Sequence, residues 1–535
     1  MLSWFRGARR YFFAIALVFI SLWVTSCTQL SATSKQVSTS RSSTVIEFMP
    51  RQAVLATVVD AANWSAWRQS SLGPKISQVL TALLDPLNIN FVEDIRPWLG
   101  DQVAFAVTDI DLDRDRHNGR QVGYLLVTEV ADSERLREFL GLFWQRQSVA
   151  GAQLNFAEAN GVSIITGPVG QTPRQLSTAI VGEKTLLIAN DLKALRQSLR
   201  VAQSPPLQMS NPDCCAPLWI SLQIPSLVNW LGGALPVKPQ FMDIRQWQQL
   251  KAAVILSSQG ILINTQLIAA GGSKALDDPR AVEGTHQQSN IQQYLPNSLA
   301  WVALGHDLST PWGTLQAELS NYQKLPSFLQ RVQHWPVTDI GAKFADPLRQ
   351  LLANGYGVGQ FDNGSWVMIT PAAEPTVVSQ LDKIASETGL TVSQLTLNGH
   401  TVTAWSQLKT QLSQDPRNRE TTVETDLVVL RTKVDDCEVF ATSLSSLTTV
   451  LEAPEQSLAS SQRFQNATQA MDTASQEYIY GTWNEMERLL ASNRWFSLVQ
   501  PIVQPWGQLI DAIAFTSYGN TSHQSTGTVS VLLKK

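Results

Sequence analysis

Charge is scarce in this chain: Asp, Glu, Lys and Arg make up 16% of its 535 residues, where soluble domains ordinarily carry about 25%. The 40 bases and 44 acids are interspersed and leave a formal charge of −4. Nothing there offers the basic field that neutralises phosphates, so nucleic acid is excluded as an expected partner. Cysteine and histidine are few, at 4 and 6. Neither residue type falls into Cys-x-x-Cys, zinc-finger or His-Glu-x-x-His spacing, and no Gly-x-Ser-x-Gly elbow occurs. No cofactor is expected. Beyond the N-terminus long hydrophobic runs are missing too, which excludes a polytopic membrane protein. Hydrophobic residues nevertheless reach 44%, enough to bury packed cores and exclude a wholly disordered chain.

The one sustained apolar run is at the start. Arg6, Arg9 and Arg10 precede Tyr11 to Val24, and residues 1–26 hold no acid. Fourteen helical residues rise roughly 21 Å, short of the ~30 Å hydrocarbon core, so the run reads as an export signal rather than a spanning helix. It ends in Val24-Thr25-Ser26-Cys27, which resembles the lipobox of bacterial lipoproteins, with Cys27 as the lipidated residue. Cleavage before Cys27 would leave 37 bases against 44 acids, a net of −7. Such a body would not be drawn flat onto anionic lipid. Of the 17 residues from Thr28 to Thr44, 10 are Ser or Thr, the composition of a flexible tether. The expected localisation is extracytoplasmic, on the periplasmic or lumenal face of a bacterial membrane.

The remainder reads as one unit written twice. Met49-Pro50 and the strand-like run Val54 to Asp60 match Leu295-Pro296 and Leu299 to Leu304. Val103 to Thr108, Gly123 to Glu129 and a helical Ser133 to Gln147 match Tyr356 to Gly359, Trp366 to Thr370 and Thr376 to Glu387. Asn160-Gly161 and Asn398-Gly399 each stand between alternating runs, as two-residue hairpin turns do. Downstream, Ala179 to Leu199 parallels Val428 to Leu451, Trp247-Gln248-Gln249-Leu250 parallels Trp506-Gly507-Gln508-Leu509, and both units close on two strands. The expected organisation is a signal at 1–26, a tether at 27–45, repeat units at 46–270 and 291–535, and a linker at 271–290. The order of elements predicts an α+β class: two similar domains, each a mainly antiparallel sheet with helices packed on one face.

Phe48-Met49-Pro50, Ile95-Arg96-Pro97-Trp98-Leu99-Gly100-Asp101-Gln102, Gly123-Tyr124, and Phe143-Trp144-Gln145 with Ala150-Gly151 resemble an uncharacterised cyanobacterial family, a domain of unknown function. The second unit departs from the Pro-Trp-Leu-Gly segment, with Phe344-Ala345-Asp346-Pro347-Leu348 nearby. The resemblance implies an exported, envelope-associated protein and brings no active site with it.

Candidate chemistry is thin. Asp109, Asp111, Asp113 and Asp115 alternate like a calcium loop, but the sixth and twelfth places hold Arg114 and Arg120 where an EF-hand needs Gly and Glu. Three arginines in that loop compete for the carboxylates, and the second unit has only the turn Asp362-Asn363-Gly364 there. An enlarged hairpin loop is the stronger reading and a weak metal site the lesser one. Gly355, Gly357 and Gly359 align with a strand, against a phosphate cradle. His306-Asp307 are neighbours without a partner set, and His400 follows a turn as a strand residue. Cys214, Cys215 and Cys437 leave three readings open: a vicinal bridge, a bridge from either to Cys437, or buried thiols. Fifteen Trp remain after the signal; Trp64 and Trp67 share a helix face, and the set reads as mainly core with a smaller share available for surface binding. No oligomeric state is marked. These features predict a non-enzymatic, lipid-anchored binding or assembly module, reaching the membrane through its lipid and meeting an envelope protein or glycan. The alternative is an exported hydrolase acting on an envelope polymer with a site between the two domains.

Overall fold

The computed structural model describes residues 44–60, 84–115, 119–170, 174–210, 216–232, 247–257, 259–269, 288–305, 350–412, 421–469, 477–491, 506–518 and 524–534, with a few isolated positions between them. The chain divides into two compact units, the first ending and the second beginning between residues 270 and 288. Antiparallel sheet dominates both.

The first unit holds β1 (Leu55–Asp60), β2 (Leu99–Asp109), β3 (Gly123–Val130), β4 (Asn155–Ala159), β5 (Val162–Val169), β6 (Arg174–Val181), β7 (Thr185–Ala189), β8 (Leu218–Gln223), β9 (Trp247–Ser257) and β10 (Gly260–Ala269). Their pairings give the order β4-β5-β6-β7-β3-β2-β1-β8-β9-β10, every neighbour antiparallel. The second unit holds β11 (Leu299–Gly305), β12 (Tyr356–Phe361), β13 (Trp366–Pro371), β14 (Thr391–Leu397), β15 (His400–Leu412), β16 (Thr421–Val434), β17 (Cys437–Ala441), β18 (Glu477–Thr482), β19 (Ile510–Tyr518) and β20 (Gln524–Leu533). Here the order is β14-β15-β16-β17-β13-β12-β11-β18-β19-β20. The two orders are the same. The registers agree as well: Leu186 lies across from Thr128 and Ile180, and Glu438 from Thr370 and Lys433.

Local chemistry explains the turns and helix starts. Asn160 and Gly161 have φ of 55° and 75°, and Asn398 and Gly399 of 50° and 81°, the left-handed geometry that lets a two-residue turn follow strand twist. The helix Ser133–Val149 begins where Asp132 accepts the backbone N–H groups of Glu134 and Arg135, and Leu192–Ala202 begins under Asp191 in the same way. Leu444–Leu451 starts on a reciprocal Ser443/Ser446 capping box. Each cap satisfies donors that the first helical turn leaves open.

The expectation of helices on one face needs correction, because both faces of both sheets are covered. In the first unit Leu195 and Leu199 of Leu192–Ala202 pack with Ala56, Val58, Leu125, Val127 and Leu187. The alternate strand residues face the other way: Leu186 meets Leu136 and Leu140 of Ser133–Val149, and Leu55, Phe105 and Val107 meet Trp230 of the helix Ile224–Gly232. In the second unit Leu447 and Val450 lie with Val367, Ile369 and Val439, while Leu381 and Ala385 of Pro375–Glu387 lie with Phe440 and Trp405. The reason is legible in the strands themselves. Cys437–Ala441 is buried throughout, and a strand without a polar face needs cover on both sides.

Candidate functional site

The carboxylates of the acidic loop after β2 are engaged by the loop's own backbone. The Asp109 carboxylate accepts the backbone N–H of Asp111 at 3.1 Å, Asp111 accepts that of Gln121 at 3.2 Å, Asp113 that of Asp115 at 3.1 Å, and Asp115 that of His117 at 2.9 Å. The carboxylates thus fold their own turns, as Asp side chains do in loops. Arg120 leaves the loop entirely and donates to the carbonyls of Asn229 and Trp230 at 2.9 and 3.1 Å, at the C-terminal end of Ile224–Gly232 where a cation suits the helix dipole. Among the described residues no three His, Cys, Asp or Glu side chains gather as a metal set would require.

The glycine spacing on β12 serves packing. A Cβ at Gly357 would come within 2.8 Å of Ile291 and 2.9 Å of Leu295, and one at Gly359 within 2.7 Å of Leu299, so the bare backbone lets the helix Gln288–Tyr294 and the segment after it sit against the strand. His400 begins β15, half-buried. Cys437 is a free, buried thiol. Its burial and the nearby carboxylates of Asp436, Asp435 and Glu438 push its pKa up to about 11, which keeps it protonated and unreactive at neutral pH. Cys27, Trp64, Trp67, Cys214, Cys215 and His306 lie outside the described residues. Of the ten Trp that are described, Trp98, Trp144, Trp219, Trp230, Trp366, Trp405 and Trp483 are buried and Trp247, Trp301 and Trp506 half-buried. The Trp247 and Trp506 segments are not equivalent in structure: Trp247 opens β9, whereas Trp506 lies in a helical turn ahead of β19.

Among the described residues, charge gathers inside the second unit, and sequence reading missed it. Arg431 on β16 donates to Asp382 of Pro375–Glu387 at 2.8 Å, to Glu438 on β17 at 3.5 Å and to Thr403 on β15 at 3.3 Å. Trp405 donates its indole N–H to the other Asp382 oxygen at 2.8 Å. Glu438 is only 5% exposed. Burial raises its pKa, against the pull of Arg431 and Lys433. The Nε of Arg431 is buried without a hydrogen-bond partner. Across the first unit the register puts Thr178 at the place of Arg431 and Leu186 at that of Glu438, and there Leu186 packs with Leu140 and Leu136 of the helix. The same helix–sheet contact is apolar in one unit and ionic in the other. The signal was charged residues standing where the first unit has uncharged ones, visible only once the register is known.

A second exchange accompanies it. In the first unit the helix supplies the indole: Trp144 donates to Thr178 at 3.0 Å and lies over Gly167, where an added Cβ would be 3.2 Å from its ring. In the second unit the position of Gly167 is taken by Trp405, so the strand supplies the indole and the helix receives it with Asp382. Other titratable groups are likewise held away from reactivity. Tyr294 is pushed up to about 12 by its hydrogen bond to Asp435 and by burial, and Tyr480 to about 12 mainly by burial.

The Pro97-Trp98-Leu99-Gly100 segment has a packing role. Trp98 is buried beside Val130, Leu136 and Leu186 and donates to the carbonyl of Asp94 at 2.6 Å, while a Cβ at Gly100 would strike the backbone of Glu129 at 2.8 Å.

Taken together, these features define a chain of two units, each built of antiparallel strands covered by helices, whose polar interior groups fasten elements to one another. The chain belongs to the family described as "Protein of unknown function (DUF3352)", whose pattern matches residues 12–534. Among curated proteins none matches it. Solved structures of TP0453 show a distant likeness: crystal form IV at 10% identity over 42% of this chain and 79% of that one, with a TM-score of 0.26, and crystal form III at 10% over 44% and 84%, with a TM-score of 0.27.

Proposed function

We propose that this is a lipid-anchored extracytoplasmic protein of the bacterial envelope, a non-enzymatic binding or assembly module in which one fold is used twice. The observation that carries the anchor is Val24-Thr25-Ser26-Cys27, placed directly after an apolar run too short to span and directly before a Ser/Thr tether. Among the described residues no helix is long and apolar enough to cross a membrane. The shared strand order and register of the two units support duplication of one module. Binding over catalysis is supported by where the titratable groups stand: Cys437, Tyr294 and Tyr480 are raised well above neutrality, and the Asp109 to Asp115 carboxylates are engaged by backbone N–H groups.

The test is metabolic labelling with an alkyne fatty acid in a bacterial host. Wild type is expected to take up label and to partition with membranes, and Cys27→Ser to lose both. Equal labelling of Cys27→Ser would overturn the anchor.

A further inference from the structure

The geometry points to a docking edge on the first unit for a second copy of this chain: antiparallel pairing of β4 with its own symmetry mate. Among the described residues β4 pairs on one side only, with β5. Its outer peptide groups can be identified. Ala159 and Val162 flank the two-residue turn at Asn160-Gly161, so they form the hydrogen-bonded pair that closes the hairpin. Alternation then directs the N–H and C=O groups of Asn155 and Ala157 inward and those of Phe156 and Glu158 outward. A two-fold axis through Ala157 sets Phe156 opposite Glu158 of the second copy, and Glu158 opposite its Phe156. Each such pair exchanges two ladder hydrogen bonds.

Side chains fit the same symmetry. Ala157 and Ala159 pack into the cluster beneath Leu192–Ala202, so Phe156 and Glu158 lie on the face that carries Ser133–Val149. Phe156 is 76% exposed, and on that helix Leu142 and Val149, two turns apart, are 46% and 83% exposed. The exposed residues of this face include both signs of charge, Arg146 and Glu158, as a self-complementary surface requires. The second unit supplies an internal comparison. Its register sets Gln394 at the place of Phe156, and the exposed positions of Pro375–Glu387 after its first residue are Thr376, Ser379, Gln380, Lys383, Ser386 and Glu387. The fold does not need apolar residues there; only one of its two uses carries them.

The N-terminal segment selects a second copy over a lipid surface. Val45, Ile46, Phe48 and Met49 are buried with Leu195 and Leu199, and Ser198 donates to the carbonyl of Phe48 at 2.9 Å. The chain therefore enters the first unit on the face opposite Leu142, Val149 and Phe156. The two-fold of an antiparallel edge pair is normal to the sheet, so it keeps both N-termini on one face, as two lipid anchors in one membrane require. This last step rests on the anchor reading above.

Oxidative cross-linking of the full-length protein in its membrane tests the pairing. Ala157 faces its own mate in a non-hydrogen-bonded pair, where Cα atoms stand about 4.5 Å apart, within disulfide reach. Ala157→Cys is expected to give a covalent dimer of this chain, absent from wild type and from Ser393→Cys on β14. Phe156→Lys added to Ala157→Cys is expected to lower the dimer yield at least tenfold. An Ala157→Cys protein that stays monomeric, or that cross-links to a different protein, overturns the proposal. If it stays monomeric while wild type is still labelled at Cys27, the pairing fails and the anchor stands.

Discussion

At the scale of residues, the Asp382–Arg431–Glu438 network separates charge that stabilises from charge that is merely tolerated. Removing one member of a buried set leaves the others without compensation at a cost of about 3–5 kcal/mol, whereas replacing the whole set with packed apolar groups is neutral or stabilising by about 1–4 kcal/mol. Arg431→Met is therefore expected to destabilise the second unit by about 3–5 kcal/mol in urea unfolding. The triple change Asp382→Leu, Arg431→Thr, Glu438→Leu, which takes Thr178 and Leu186 as the pattern for the two strand positions and removes the helix carboxylate, should recover most of that loss; a triple variant no better than Arg431→Met alone would refute the comparison. Glu438 also sets a pH dependence. Burial raises its folded pKa above the ordinary glutamate range, so the folded chain holds this proton more tightly than the unfolded one. The resulting stability is complete below the ordinary value and is lost as pH rises through the folded value. Melting temperature measured between pH 7 and pH 5 should rise more for wild type than for Glu438→Gln, and parallel curves would count against it. None of these residues stood out in the sequence, where a charge near a strand end reads as solvated. The Asp109 to Asp115 run did stand out, and its carboxylates accept backbone N–H groups of their own loop.

At the scale of elements, most of the architecture was legible. Alternating strands, the two Asn-Gly turns and the helices after β3 and β7 all follow from periodicity and turn chemistry, and each lies within a few residues of where the sequence sets it. Helices on the second face were not legible. Runs such as Thr185–Ala189 are too short for alternation to distinguish one buried face from two, and the distinction depends on Leu186 and Ile188 finding Leu136, Leu140 and Phe139 across the gap. Strand pairing was also beyond reach, because the neighbours β3 and β7 are separated by a helix and three strands. The glycines show why such contacts constrain sequence. Gly100→Ala places its Cβ against the Glu129 backbone, which cannot rotate away as a side chain could, and should cost about 1–3 kcal/mol by thermal denaturation. An unchanged melting temperature would mean that the β2–β3 pair is looser there than its geometry indicates.

At the scale of the molecule, the scarcity of charge and its sign bear on how the body meets a membrane. Without residues 1–26 the chain would carry 37 bases and 44 acids, a balance that offers no electrostatic hold on anionic lipid. Purified Cys27→Ser protein is expected to remain in the supernatant when mixed with anionic vesicles at physiological salt, and co-sedimentation would show a lipid-binding surface independent of the anchor. The matching segments were visible as text, whereas the differences between the two units became visible only in three dimensions. That difference bears on whether elements could be exchanged between the units. Trp144 fills from the helix the space that Trp405 fills from the strand. A crossover that moved Ser133–Val149 into the second half would bring two indoles into one site, and the reciprocal product would leave that site without either. Alike in strand order, the two units are therefore not interchangeable at this helix–sheet contact.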